Sequence, residues 1–170
     1  ICEDGVSMEK YFVVNENHDF YKRCSQYIEK RNDIFNKAYA YMKQFDVEDR
    51  EVGVSGRSIY VADTKENRDK FGNMLKKDAK RGWLEFKKNS KIAKEWTHEK
   101  PYPPSFIFDV LSDCGRYSER MFIFENKLYI GFRLDHDFET PDGYTEIKAS
   151  QYHATVELIN ENKLHVDVIN

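Results

Sequence analysis

From Phe20 to Phe45, apolar side chains return every three or four residues: Phe20, Cys24, Tyr27, Ile28, Ile34, Phe35, Ala38, Tyr41, Met42 and Phe45. A strand cannot use that spacing, because its successive side chains point to opposite faces. A helix turning about 100° per residue gathers them onto one stripe. The spacing therefore predicts a long amphipathic helix over roughly Asp19 to Phe45, with Asn15-Glu16-Asn17 as the turn and N-cap before it. Glu16 and Asp19 sit near the positive end of its dipole.

Short β-branched and aromatic runs predict the sheet on which such a helix packs. Tyr11 to Val14 reads as a strand, and Val52-Gly53-Val54 and Ser58 to Val61 read as two more around Ser55-Gly56-Arg57. Met121 to Phe124 and Leu128 to Leu134 flank Glu125-Asn126-Lys127, which marks a hairpin. A short helix is expected from Ser150 to Asn160, and a closing strand from Leu164 to Ile169. A second long helix is expected to start at Thr64, a good N-cap, and to run to Trp96, with Gly72 and Gly82 as weak points and a break near Gly82. Pro101-Tyr102-Pro103-Pro104 ends it as a stiff connector too short for a domain linker. Phe106 to Leu111 is an apolar run too short for periodicity to assign.

The resulting expectation is one α+β domain over residues 8–170: two long amphipathic helices on a small, mostly antiparallel sheet, with a C-terminal hairpin, short helix and closing strand. Residues 1–7 are expected to be a non-native or leader segment, since Met8 opens directly into the first strand and Glu3 to Ser7 back-translate into a purine-rich tract like a bacterial ribosome-binding site. A chain of 170 residues, 40% hydrophobic and 34% charged, is globular and long enough to bury a core. Eleven Tyr, twelve Phe and two Trp point to an aromatic-rich core with tyrosines at its rim. The three cysteines, Cys2, Cys24 and Cys114, are odd in number and have no zinc-like spacing, which argues for reduced thiols in a cytosol. The sequence has no apolar run long enough for a membrane span and no signal-peptide core, so the expected location is cytoplasmic.

Charge is the main functional signal. The chain carries −3 overall, yet Lys65 to Lys100 holds twelve basic and six acidic residues, a net +6 that leaves −9 for the remainder. On the expected second helix, Lys76, Lys77, Lys80, Arg81, Lys87, Lys88, Lys91 and Lys94 fall within a roughly 140° arc. Phe71, Met74, Leu75, Phe86, Ile92, Ala93 and Trp96 fall on the opposite side. Trp83 at the edge of this ridge and Leu84 within it would add apolar anchors of the kind found at protein interfaces. The partner classes rank as an acidic protein, then nucleic acid, then a membrane surface. Lysine outnumbers arginine seven to one in the ridge, which disfavours bidentate reading of bases.

Other motifs are weaker. Asp135-His136-Asp137-Phe138-Glu139 offers oxygen ligands for Mg²⁺ or Mn²⁺, and a nucleotide- or nucleic-acid-directed hydrolase would need Asp135, Asp137 and His153 in one pocket. Gly53 to Ser58 has the glycines to wrap a phosphate but lacks the Gly-Lys-Ser/Thr ending and the following helix of a P-loop, so a turn between strands is expected. His153-Ala154-Thr155 matches half of the two-histidine phosphoesterase signature, without the second half. His18, His98 and His165 have no triad companions and read as surface or capping histidines. Asp142-Gly143-Tyr144-Thr145-Glu146-Ile147-Lys148-Ala149-Ser150-Gln151-Tyr152, with the compact size and the expected start at Met8, resembles small accessory proteins of tailed bacteriophages and prophages. That resemblance covers eleven residues, carries over no site, and implies a protein acting on a bacterial host or defence component. The expectation is thus a non-enzymatic binding protein without cofactor, metal or membrane partner, engaging an acidic bacterial protein or nucleoprotein complex, with nonspecific nucleic-acid binding as the alternative and a hydrolase using the acidic loop as a further one.

Overall fold

The computed structural model describes residues 8–77, 82–101 and 115–169. It is a mixture of helices and antiparallel sheets. Its contacts divide the chain into two compact units, Ile1–Ile28 with Pro103–Asn170, and Glu29–Tyr102, where the sequence expectation is one domain.

In the first unit, β1 (Met8–Asn15) and β8 (Lys127–Leu134) pair antiparallel over their full lengths, from Met8 opposite Leu134 to Asn15 opposite Lys127. β9 (Tyr144–Ile147) extends the sheet beyond β1. β7 (Phe122–Phe124), β10 (Asp167–Val168) and β6 (Gly115–Tyr117) build out the other side of β8. The β7–β8 hairpin lies where the sequence marks it, because Glu125 and Asn126 take φ of 49° and 61°, the left-handed pair of a type I′ turn.

Alternation along β1 creates two cores. Phe12 and Val14 face Phe20, Cys24, Tyr27 and Ile28 of α1 (Asp19–Lys43), while Tyr11 faces Tyr152 and Ile159 of α4 (Ala149–Glu161). Beneath Tyr11 lies Gly131, where a methyl group would come within 2.7 Å of Glu119 Cβ and 3.0 Å of the Tyr11 ring. Cys24 is fully buried, and that burial pushes its thiol up to about 12.

The second unit takes the rest of α1 from Glu29 and a four-stranded antiparallel sheet in the order β2 (Val52–Ser55), β3 (Ser58–Ala62), β5 (Trp83–Phe86), β4 (Leu75–Lys77). Val52, Val54, Ile59, Val61, Leu84 and Phe86 form its core face, packed with Ala38 and Met42 of α1.

The expected helix from Thr64 to Trp96 does not form as one element. It starts as foreseen, with Thr64 Oγ1 accepting from the Asn67 N–H at 3.1 Å, but α2 (Lys65–Phe71) ends after two turns. Gly72 and Gly82 adopt φ of +50° and +79°, which a right-handed helix cannot contain. Between and beyond them lie β4 and β5, in which Trp83-Leu84-Glu85-Phe86 alternates half-buried and buried. A new N-cap at Ser90 then starts α3 (Lys91–Glu95). Among the described residues, α1 is therefore the single long helix. The closing strand contracts to Asp167 and Val168. Residues 1–7 and the Phe106 to Leu111 run lie outside the described residues.

Ser90 Oγ donates to the Lys87 carbonyl at 2.6 Å and accepts from the Ala93 N–H at 3.3 Å. Replacing Ser90 by Ala is expected to lower stability in urea unfolding by about 1 kcal/mol, the ordinary cost of losing an N-cap. In a helix running unbroken through position 90 the same change would be neutral or slightly stabilising, because alanine is the better helix former.

Candidate basic interface

The lysines sit on three consecutive elements, not on one helix face. Lys76 and Lys77, adjacent on β4, point to opposite sides of the strand. Lys87 and Lys88 lie in the connection from β5 to α3, and Lys91 and Lys94 lie on α3. Lys80 and Arg81 fall outside the described residues.

Two of the lysines are engaged: Lys76 is paired with Glu85, its neighbour across the β4–β5 ladder, at 3.1 Å, and Lys91 approaches Glu95 at 4.0 Å. Lys77, Lys87, Lys88 and Lys94 form no ion pair with any described residue. The unit that holds them carries eighteen basic and thirteen acidic residues, net +5; the other has nine and seventeen, net −8, which together give the chain's −3.

The two apolar anchors change role. Leu84 is 4% exposed and belongs to the core, so it is not part of an interface. Trp83 is half-buried, with its ring against Gly53, and shares a recess of about 280 Å³ with Phe35, Tyr39 and Tyr60. Both departures follow from strand alternation, which sends Trp83 and Leu84 to opposite faces of the sheet.

The cluster from Asp135 to Glu139 and His153 are not brought together. Asp137 accepts a 3.0 Å hydrogen bond from the Lys10 ammonium, which also lies 3.7 Å from Glu146 and 5.6 Å from the centre of the Phe138 ring. That bond, together with the Lys10 charge and the Phe138 N–H, holds the Asp137 carboxyl below its usual range. His153 instead places Nε2 3.3 Å from the Tyr11 hydroxyl, which donates to Glu9 at 2.8 Å. Lys10 and Tyr11 are consecutive in β1, so their partners Asp137 and His153 belong to opposite faces of the sheet. Asp135 is exposed. Among the described residues no group of three or more His, Cys, Asp or Glu is arranged to hold a metal ion. The three-residue hydrolase pocket is therefore not formed.

A polar group that the sequence did not reveal surrounds Tyr11. Glu9 and Arg133 face each other across the β1–β8 ladder and pair at 3.2 Å. The Tyr11 hydrogen bond, then Arg133, lowers the Glu9 carboxyl. Only the strand register places these residues together, so their separation of 124 positions offered no local signal.

The remaining motifs behave as read. Gly53 to Ser58 forms β2, a two-residue turn with Gly56 at φ +56°, and the start of β3. His18 Nδ1 accepts from the Phe20 N–H at 3.1 Å, and its Nε2 lies 3.1 Å from the Asp142 carbonyl, a capping role. His98 lies edge-on to Trp96 and His165 pairs with Asp167, both exposed. No helix among the described residues is long and apolar enough to cross a membrane. Comparison with protein families, with curated proteins and with solved structures finds no match to the chain.

Two outcomes test this placement. In Lys10→Met the Asp137 carboxyl, followed by NMR, should titrate closer to its ordinary range while the His153 ring signals stay unchanged; movement of both would put them in one pocket. Burial, then Glu9, raises the Tyr11 hydroxyl from 10.0 to about 12, so the stability tied to its neutral form is complete below pH 10 and is lost as pH rises toward 12. Tyr11→Phe should flatten part of that alkaline loss in urea titrations.

Proposed function

We propose that this chain is a non-enzymatic binding protein of phage or prophage type, which engages an acidic bacterial protein or nucleoprotein complex in the host cytoplasm through the segment from Lys76 to Lys94. One observation carries the reading: Lys77, Lys87, Lys88 and Lys94 have no ion pair with a described residue, although the chain as a whole is acidic. A lysine already satisfied inside its own fold has little charge left to offer a partner. Four that form no ion pair with a described residue, within eighteen positions, raise the local potential and speed association with an acidic surface. Their ammonium groups act as point charges, which suits matching of potentials better than reading of base edges.

Nonspecific nucleic-acid binding is the second reading, favoured by the same lysines and distinguished by a steep fall in affinity as salt rises. A pull-down from bacterial lysate, run with and without nuclease, separates the two. Capture should survive nuclease and fall at least tenfold in the folded triple variant Lys77→Glu, Lys87→Glu, Lys94→Glu. Capture abolished by nuclease transfers the function to nucleic acid. Capture untouched by the charge reversals overturns the basic segment as the contact.

A further inference from the structure

The β2–β3 turn, α3 and the segment after it enclose a cleft of about 420 Å³. Arg57 and Lys88 bring positive charge to it, and Ser55 and Ser58 bring hydroxyls. Phe86, Ala93 and Trp96 supply apolar walls. Its one carboxylate among the described residues, Glu99, accepts from Arg57 Nε at 3.3 Å, with both side chains exposed. The path of the chain is fixed there by the Lys100 N–H, which donates to the Gly56 carbonyl at 3.0 Å.

The described lining carries more positive than negative charge. Lys88 has no ion pair with any described residue. Trp96 is 5% exposed, and its buried indole N–H has no acceptor among the described residues. An indole N–H can only donate.

Charge points to an anionic ligand. Among the described lining residues, Arg57 and Lys88 against Glu99 leave a net positive charge, which a partner's carboxylate can neutralise. Glu99 on Arg57 also shows that a carboxylate fits the guanidinium in this setting, and an incoming one would compete with it. We propose that the cleft is the specificity pocket of the basic interface, receiving one carboxylate side chain of an acidic partner against Lys88 and Arg57, with the short aliphatic stem of that side chain on Trp96. This rests on the acidic-partner reading above and adds a defined acceptor for one of the partner's carboxylates.

The test uses the two tryptophan indole N–H signals in ¹H–¹⁵N NMR of the whole chain, assigned with Trp83→Phe. Titrating a capped hexaglutamate peptide should move the Trp96 signal saturably and leave Trp83, in its separate recess, in place. Lys88→Glu should weaken the apparent Kd at least tenfold, whereas Glu99→Gln, which removes the internal competitor at an exposed site, should tighten it severalfold. An unmoved Trp96 signal, equal movement of both indoles, or an unchanged Kd in Lys88→Glu overturns the pocket. Inorganic phosphate binding as well as the peptide overturns its preference for a carboxylate. The pocket and the wider reading fail separately: loss of lysate capture in the triple variant with no Trp96 response removes the pocket alone, and a Trp96 response without that loss removes the broader surface.

Discussion

Eight antiparallel pairs between β1 and β8 set the order of everything in the first unit. Their register decides that Phe12 and Val14 meet α1 while Tyr11 meets α4, and a slip of one residue would exchange the two sets. The close approach at Gly131 reinforces the register, since a side chain there would collide with Glu119 and Tyr11. The same alternation sorts the polar chemistry. Lys10 gathers Asp137 and Glu146 on one side, and Tyr11 gathers Glu9 and His153 on the other, so two clusters that look adjacent along the chain are insulated from each other by the sheet.

Elements governed by local chemistry were legible in the sequence. The α1 stripe was long enough to exclude any other structure, and its observed end at Lys43 falls two residues short of the expected Phe45. Glu125-Asn126 and Thr64 act through neighbouring backbone groups, so their turn and cap needed no knowledge of the fold. Between Gly72 and Ser90 the local signals conflicted. Lysine suits an exposed helix face and also an exposed edge strand such as β4, so its spacing on a helical projection did not separate the two. Only four residues of β5 alternate, too few to outvote a longer helical pattern. Two positive-φ glycines and the Ser90 cap settle the conflict in favour of strands.

The candidate interface was legible as composition and illegible as geometry. An excess of basic charge survives any refolding of the segment, and it is still present as a unit of net +5 in a chain of −3. Which lysines remain unsatisfied depends on neighbours that the sequence could not supply. Lys76 is neutralised because β4 and β5 put Glu85 directly opposite it, whereas Lys77, one residue on, faces the other way. The cleft beside α3 follows the same logic, since Ser55 to Ser58, Lys88 and Trp96 are joined only by tertiary structure.

Cys24 has a consequence for how the first unit opens. Its thiol has no exposed surface and is held almost wholly protonated at neutral pH, so it is doubly protected from alkylation. Reagent can reach it only when the beginning of α1 lifts from Phe12 and its neighbours, which makes the labelling rate of this cysteine a clock for local unfolding. A residue whose role in the native state is simply to fill space thereby becomes the natural timekeeper of the unit that hides it.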